Sequence, residues 1–291
     1  MQAAILDHIN HTPGIRSFKR IAVAYDASSA AERALHAAIA LAMRFGAALL
    51  LARVNPPQSE TTDSYAGLRE EQASEANELS VISNRLTRAG VSSRVVIRGG
   101  IVGDTLFNIC CEENVDLLLL GAYGYGSKDR QTLGSTAEFL LRAVPCPTLT
   151  YGPCVGRTFD HPTHNGPILV PISLPCAPDE LQRAIAIAKL FKISIDVLHV
   201  THEVPAGRAL NLEHQCEQIV ECFRAEGIGA CWSLYAGSPE VLILGRALEI
   251  DSPFILMPLK WKNRLSSTTS DNIAAHIVRA AHIPVMTYRV A

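Results

Sequence analysis

The sequence predicts an α/β fold: two tandem Rossmann-like domains, each a mostly parallel five-stranded sheet flanked by helices. Three observations predict it. The 291 residues suit about two domains of roughly 150 residues each. Short apolar runs alternate with longer stretches of helical spacing, which is the pattern of parallel sheets covered on both faces. The chain also repeats itself. Residues 20–54 and 167–200 each read as a β-rich run, a turn, an Ala/Leu-rich stretch and a second apolar run, with Phe45 matching Phe191 and Val54 matching Val200. Farther on, Arg142–Tyr151 (RAVPCPTLTY) aligns without a gap with Arg279–Tyr288 (RAAHIPVMTY). The same register pairs Gly100 with Gly237 and Leu117–Leu120 with Phe254–Met257.

The first copy reads as follows. Ile21–Tyr25 is a continuous apolar strand. Asp26, Ser28 and Ser29 offer capping oxygens before a helix over Ser29–Phe45, whose apolar positions Ala34, Leu35, Ala38, Ile39, Leu41 and Ala42 fall on one face. Strand two is Ala48–Val54, and a loop with Pro56 and Pro57 leads to a charged helix over Tyr65–Ala89. Strand three (Arg94–Arg98), a helix (Val102–Asn114) and strand four (Asp116–Leu120) follow. A glycine-rich stretch then precedes a helix over Ser135–Ala143 and a last strand, Thr148–Tyr151. The expected divisions are a flexible leader at 1–17, one domain at 18–151, a Gly/Pro-rich linker at 152–166 and a second domain at 167–291. The Val/Ile/Leu-rich last strands near Thr148 and Val285 are candidate edges for pairing across copies or chains.

Composition narrows the function classes. Hydrophobic residues make up 48% and charged residues 19%, enough apolar material for real cores, and the net charge of -2 gives no global attraction to nucleic acid or anionic membrane. No apolar run is long enough to span a bilayer, and the first residues do not read as a secretory signal. The eight cysteines form no C-x-x-C pair, so they read as reduced thiols of a cytoplasmic protein rather than a zinc or redox site. His161-x2-His164 and His199-x2-His202 lack further ligands, and no metal site is expected.

Chemistry concentrates after strand four, in Gly121-Ala-Tyr-Gly124-Tyr-Gly126 and on to Gly134-Ser135-Thr136. Ligands of such sheets bind at the carboxyl ends of strands. Glycines there let the backbone turn and approach a ligand, and a helix start offers free N–H groups and partial positive charge to phosphate. The stretch is neither a P-loop nor G-x-G-x-x-G. Its spacing, Gly121-x2-Gly124-x9-Gly134-Ser135, resembles the G-x2-G-x9-G-[ST] nucleotide signature of the universal stress protein family. IAVAYDASSAAERAL at the first strand, Val115–Gly121 before the signature and the proline-flanked last strand extend the resemblance, well over about 18–151 and more weakly over 167–290.

The resemblance implies an adenine nucleotide α-hydrolase-like fold and an ATP site, with Mg2+ as a possible companion. By position it assigns Asp26 to the ribose or adenine end, although an Asp there equally serves as a helix N-cap. It assigns Ala24, Tyr25, Val54 and Leu120 to the strand ends flanking adenine. It assigns Gly121, Gly124, Gly134, Ser135 and Thr136 to ribose and phosphates. Tyr123 departs from the frequent His, leaving open whether it stacks or covers the loop. Lys128 and Arg130 read as a solvated loop face that could also reach phosphates.

In the second copy Gly121 becomes Pro258, Gly124 becomes Trp261, Gly134 becomes Asp271, Ser135 becomes Asn272 and Asp26 becomes Ser173. Proline removes a donor, Trp blocks approach and Asp repels phosphate. This copy is expected not to bind ATP and to act as structural partner in an intramolecular pseudo-dimer, with a homodimer possible by family analogy. No Ser-His-Asp arrangement, G-x-S-x-G elbow or pyrophosphatase-type S-G-G-x-D-S loop appears. The expectation is therefore a non-enzymatic, ATP-binding regulatory stress protein, at most a slow ATPase. The alternatives are a nucleotide-independent interaction module, a self-phosphorylating protein, or an enzyme acting on another adenylated substrate.

Overall fold

The computed structural model describes residues 17–57, 65–123, 133–156, 166–202, 209–260 and 269–290. The first half runs β1 (Arg20–Ala24), α1 (Ser29–Phe45), β2 (Ala48–Asn55), α2 (Tyr65–Arg88), β3 (Ser93–Gly99), α3 (Val102–Glu112), β4 (Leu117–Gly121), α4 (Ser135–Ala143) and β5 (Thr148–Tyr151). The second runs β6 (Ile168–Ile172), α5 (Pro178–Phe191), β7 (Ile195–Thr201), α6 (Ala209–Ala225), β8 (Ala230–Ala236), α7 (Pro239–Glu249), β9 (Ile255–Lys260), α8 (Thr269–Ala280) and β10 (Val285–Val290). The order is the same in both. Left-handed backbone recurs at matching places: Gly46 with Lys192, Gly90 with Gly227, Gly100 with Gly237 and Asn114 with Asp251.

The two sets of five strands do not form separate sheets. They join into one, in the order β3-β2-β1-β4-β5-β10-β9-β6-β7-β8. Each half is parallel internally. The join is antiparallel, pairing Thr148 with Thr287, Leu149 with Met286 and Thr150 with Val285. In the gapless register Leu149 is the counterpart of Met286, so the pairing is reciprocal, as a two-fold contact requires.

Residues of each strand alternate between faces. Ile21, Val23, Leu49, Leu51, Leu117 and Leu119 face α1 and α2, in an apolar cluster that continues through β6, β7, α5 and α6 of the second half. Phe45 and Phe191, matching residues, meet edge to face at 5.4 Å, with Phe18 at 5.3 and 6.1 Å from them. The Arg44 guanidinium lies over both Phe45 and Phe191 rings and donates to the Phe191 carbonyl. On the opposite face Ala22, Leu50, Leu118 and Leu120 pack against α3 and α4. Asp116 clamps the inner strands, accepting from the backbone N–H of Lys19 at 2.9 Å and of Arg20 at 3.1 Å. Burial raises its carboxyl above the usual range, and those two bonds oppose the rise. Among the described residues no helix is long and apolar enough to cross a membrane.

Candidate functional site

Parallel pairing puts the ends of β1, β2 and β4 side by side, with Val23 beside Leu119 and Ala24 beside Ala52. Three of the expected residues, Ala24, Val54 and Leu120, fall on one face there, in the same apolar cluster, and Leu133 packs against it. Tyr25 does not join them. Its ring is buried on the opposite face, and its hydroxyl donates to Glu32 and lies 2.8 Å from Glu78 Oε1. Burial, then the two carboxylates, push this phenol well above its ordinary pKa. Period-2 alternation turns the Tyr25 side chain toward α1 and α2, so what it brings to the strand end beside Ala24 is its backbone.

Asp26 is half-buried and its Oδ1 accepts from the Ser28 N–H at 3.0 Å. The cap of α1 is Ser28, whose hydroxyl accepts from the Ala31 N–H at 3.1 Å. Asp26 thus shapes the turn after β1 without capping the helix. Gly121 is explained by packing: a Cβ there would stand 2.7 Å from the Ala30 Cβ. Its missing side chain lets the start of α1 lie on the end of β4, whereas the sequence suggested a positive φ, and Gly121 is ordinary strand.

The chain leaves the sheet at Gly121 and returns at Gly134, whose N–H donates to the Ala122 carbonyl at 3.0 Å. That bond closes the base of the loop and commits a donor the sequence reading left for phosphate. The next two residues, Ser135 and Thr136, open α4, and no side chain caps the helix start. Ser135 is exposed. The α4 start therefore offers backbone donors and hydroxyls at the positive end of a helix dipole. Gly124, Lys128 and Arg130 lie outside the described residues.

The second half departs at the same strand ends. Pro171 lies within β6, and the β6–β9 pairing is reduced to Leu169 with Ile255, where β1 and β4 share three pairs. Pro258 stands within β9, paired with Tyr288, at the position of Gly121. Ser173 follows β6 and is exposed. The layer of α7, on the same face as those strand ends, also differs. Asp196, fully buried on β7, receives the Arg246 guanidinium at 3.1 and 2.5 Å, where the first half has Leu50 and Ile109. Trp261 lies outside the described residues.

A family model described as the universal stress protein family matches residues 17–151. Residues 17–151 are a universal stress protein domain. A universal stress protein of Thermus aquaticus, from the 3' region of a QAH/OAS sulfhydrylase, is 26% identical over 134 residues, 45% of this chain and 97% of its own length. Similarity of fold extends further. The crystal structure of a universal stress protein from Archaeoglobus fulgidus DSM 4304 covers 93% of this chain and 98% of its own, with a TM-score of 0.73 at 17% identity. A functionally unknown protein from Pseudomonas aeruginosa PAO1 covers 94% of this chain and 93% of its own, with a TM-score of 0.59 at 18% identity. The universal stress protein fold thus spans both halves.

Sequence reasoning left one residue of the universal stress protein domain open. Tyr123 lies two residues past β4, and its ring is buried in the apolar cluster of the second half, with Ile277 and Val278 of α8. Nothing local in the sequence signals this, because its neighbours come from residues far along the chain.

Proposed function

We propose that this universal stress protein binds ATP in its first half alone and acts as a regulatory protein of the stress response. The observation that carries the reading is the α4 start: Ser135 and Thr136 open a helix with no side-chain cap, at the carboxyl end of β4. ATP fits the residues present. The apolar face of Ala24, Val54 and Leu120 suits adenine, the α4 start suits phosphate, and the Asp26 carboxylate suits ribose hydroxyls. Mg2+ would travel with the triphosphate. Among the described residues no group of three or more His, Cys, Asp or Glu gathers to hold a metal by itself. We assign no general base and no catalytic residue.

The second half serves as the partner in an intramolecular pseudo-dimer, a role supported by the reciprocal β5–β10 pairing. Pro171, Pro258 and the sequence change from Gly134 to Asp271 speak against a second nucleotide there. The eight free thiols support a reducing, cytoplasmic setting. With β5 already taken by β10, a homodimer would use another surface.

The test is nucleotide content. Purified protein, with ATP and Mg2+ added, is denatured and its nucleotide counted by chromatography. One ATP per chain is expected, and Gly134→Asp is expected to weaken ATP binding at least about 10-fold. Two per chain would overturn the asymmetry. None would leave the interaction module, and steady-state turnover well above background would make the protein an enzyme.

A further inference from the structure

Two thiols of the first half meet in its core. Cys110 lies in the last turn of α3, and Cys146 stands between Pro145 and Pro147, just before β5. Both side chains are buried in the cluster that packs α3 and α4 on the sheet. Backbone bonds hold them at the amino end of β4. The Cys110 carbonyl accepts from the Val115 N–H at 2.9 Å, and the Pro147 carbonyl accepts from the Leu118 N–H at 3.0 Å. There the two thiols hydrogen-bond to one another. That bond lowers the Cys110 thiol below its ordinary range, while the same bond and burial raise Cys146 well above it. Exposed Cys111 follows Cys110 and exposed Pro145 precedes Cys146, so the pair lies one residue beneath the surface on both segments. No sequence motif marks the pair, because the two cysteines meet only through the fold.

The second half shows that packing does not require sulfur here. The register that pairs Gly100 with Gly237 and Arg142 with Arg279 also pairs Cys110 with Ala247 and Cys146 with Ile283. Both counterparts are buried in the matching cluster of that half, at 1% and 2% exposure. An apolar pair fills the same place, so what the two cysteines add is reactivity. They also stand apart from the nucleotide reading, which uses the carboxyl end of β4.

We propose that Cys110 and Cys146 are an oxidative modification site, joined by a reversible disulfide when the protein meets a peroxide. The Cys110 sulfur attacks one peroxide oxygen, the O–O bond breaks, and the Cys110 proton leaves with the other oxygen as water. Cys110 is then a sulfenic acid. The Cys146 sulfur attacks the Cys110 sulfur, and its proton leaves with the sulfenic hydroxyl as a second water. The two thiols have lost two electrons and the peroxide has gained them. A dithiol reductant restores both thiols by exchange. The bond closes a loop that contains β4, the glycine-rich stretch and α4, and such closure disfavours the unfolded chain. A reduced resting pair agrees with a cytoplasmic setting, where disulfides are transient.

The probe is hydrogen peroxide, added to the full chain under native conditions. Cys111 and Cys154, exposed thiols that share tryptic peptides with the pair, are first replaced by Ser. After peroxide, free thiols are blocked with N-ethylmaleimide in denaturant and the digest is read by mass spectrometry. A Cys110–Cys146 linked peptide is expected, reversed by dithiothreitol, together with a rise of several degrees in the thermal midpoint. Peroxide that leaves both thiols open to alkylation, or drives them separately to sulfinic acid, overturns the site. So does a linked peptide that forms only when the chain is oxidised in urea, since the native contact then plays no part. An unraised midpoint in the linked protein overturns the fit of the bond to the native fold. Cys110→Ala/Cys146→Ile, which installs the residues of the second half, is expected to show no midpoint rise with peroxide. A rise of the same size in that variant refutes the assignment.

Discussion

Gly121 separates two explanations that a glycine in a signature always invites. A methyl there would stand 2.7 Å from the Ala30 Cβ and 3.3 Å from backbone of α1, and that backbone cannot yield as a side-chain tip can. Gly121→Val is therefore expected to lower stability by about 1–3 kcal/mol in urea denaturation, whatever its effect on ligand. Gly134 has φ -59° and ψ 138° at the start of α4, a conformation open to Asp. A Cβ there would stand 3.0 Å from the Ala122 carbonyl oxygen, so Gly134→Asp should lower the denaturation midpoint modestly while weakening nucleotide binding at least about 10-fold. The buried pair on the other half makes a second residue-scale prediction. Arg246→Met strands the Asp196 carboxylate in the core and should cost about 3–5 kcal/mol. The double variant Asp196→Leu/Arg246→Ile installs the residues found at Leu50 and Ile109, and its stability should return to at least that of the starting protein. A double variant as unstable as Arg246→Met would mean the pair is not replaceable by the packing of the first half.

At the scale of elements, Tyr25 ties α1 and α2 to the end of β1 through Glu32 and Glu78. Its folded pKa lies above the ordinary tyrosine value of about 10, so the folded state keeps the proton after the unfolded chain has lost it. Its contribution to stability is full below about pH 10 and declines as pH rises beyond that. Denaturation midpoints collected from about pH 8 to 11 should fall at the alkaline end, and Tyr25→Phe should flatten that fall while costing about 1–2 kcal/mol at neutral pH. Fully buried Tyr288, also raised by burial, leaves a residual slope of the same sign. The element order was legible in the sequence because apolar runs and helical spacing alternate without interruption, and α1 and β5 begin and end where the reading put them. The direction of Tyr25 was not legible. In a strand covered on both faces, RIAVAY is apolar at every step after the first residue, and nothing marks which alternate positions face which layer. Nor was the role of Gly121, since a close approach between β4 and α1 is a contact between distant segments. The candidate site was legible as a set of positions, whereas the commitment of the Gly134 N–H to Ala122 depends on where the loop returns.

For the whole molecule, the join of β5 to β10 governs assembly. Because the pairing is reciprocal about Leu149 and Met286, the first half expressed alone (residues 17–156) presents an edge complementary to itself. Light scattering at micromolar concentration should find it dimeric, with Thr148 opposite Thr150 of the other copy. A monomer would show that β10 supplies something β5 does not. The sheet's remaining edges, β3 and β8, lie at its two ends. On β3, Arg94 and Arg98 carry ion pairs with Glu113 and Glu112, charge that discourages further strands from adding.

Joining the partners in one chain has a further effect. In a dimer of identical subunits every substitution appears on both sides of the symmetry axis, so a change that disables one ligand site disables both. A covalent tether breaks that rule, and it also keeps the partner at high effective concentration however dilute the protein. Each half can then change alone. Pro258 for Gly121, the Asp196–Arg246 pair for Leu50 and Ile109, and Ile172 for Tyr25 are all one-sided differences, and none of them falls on the strands that hold the halves together.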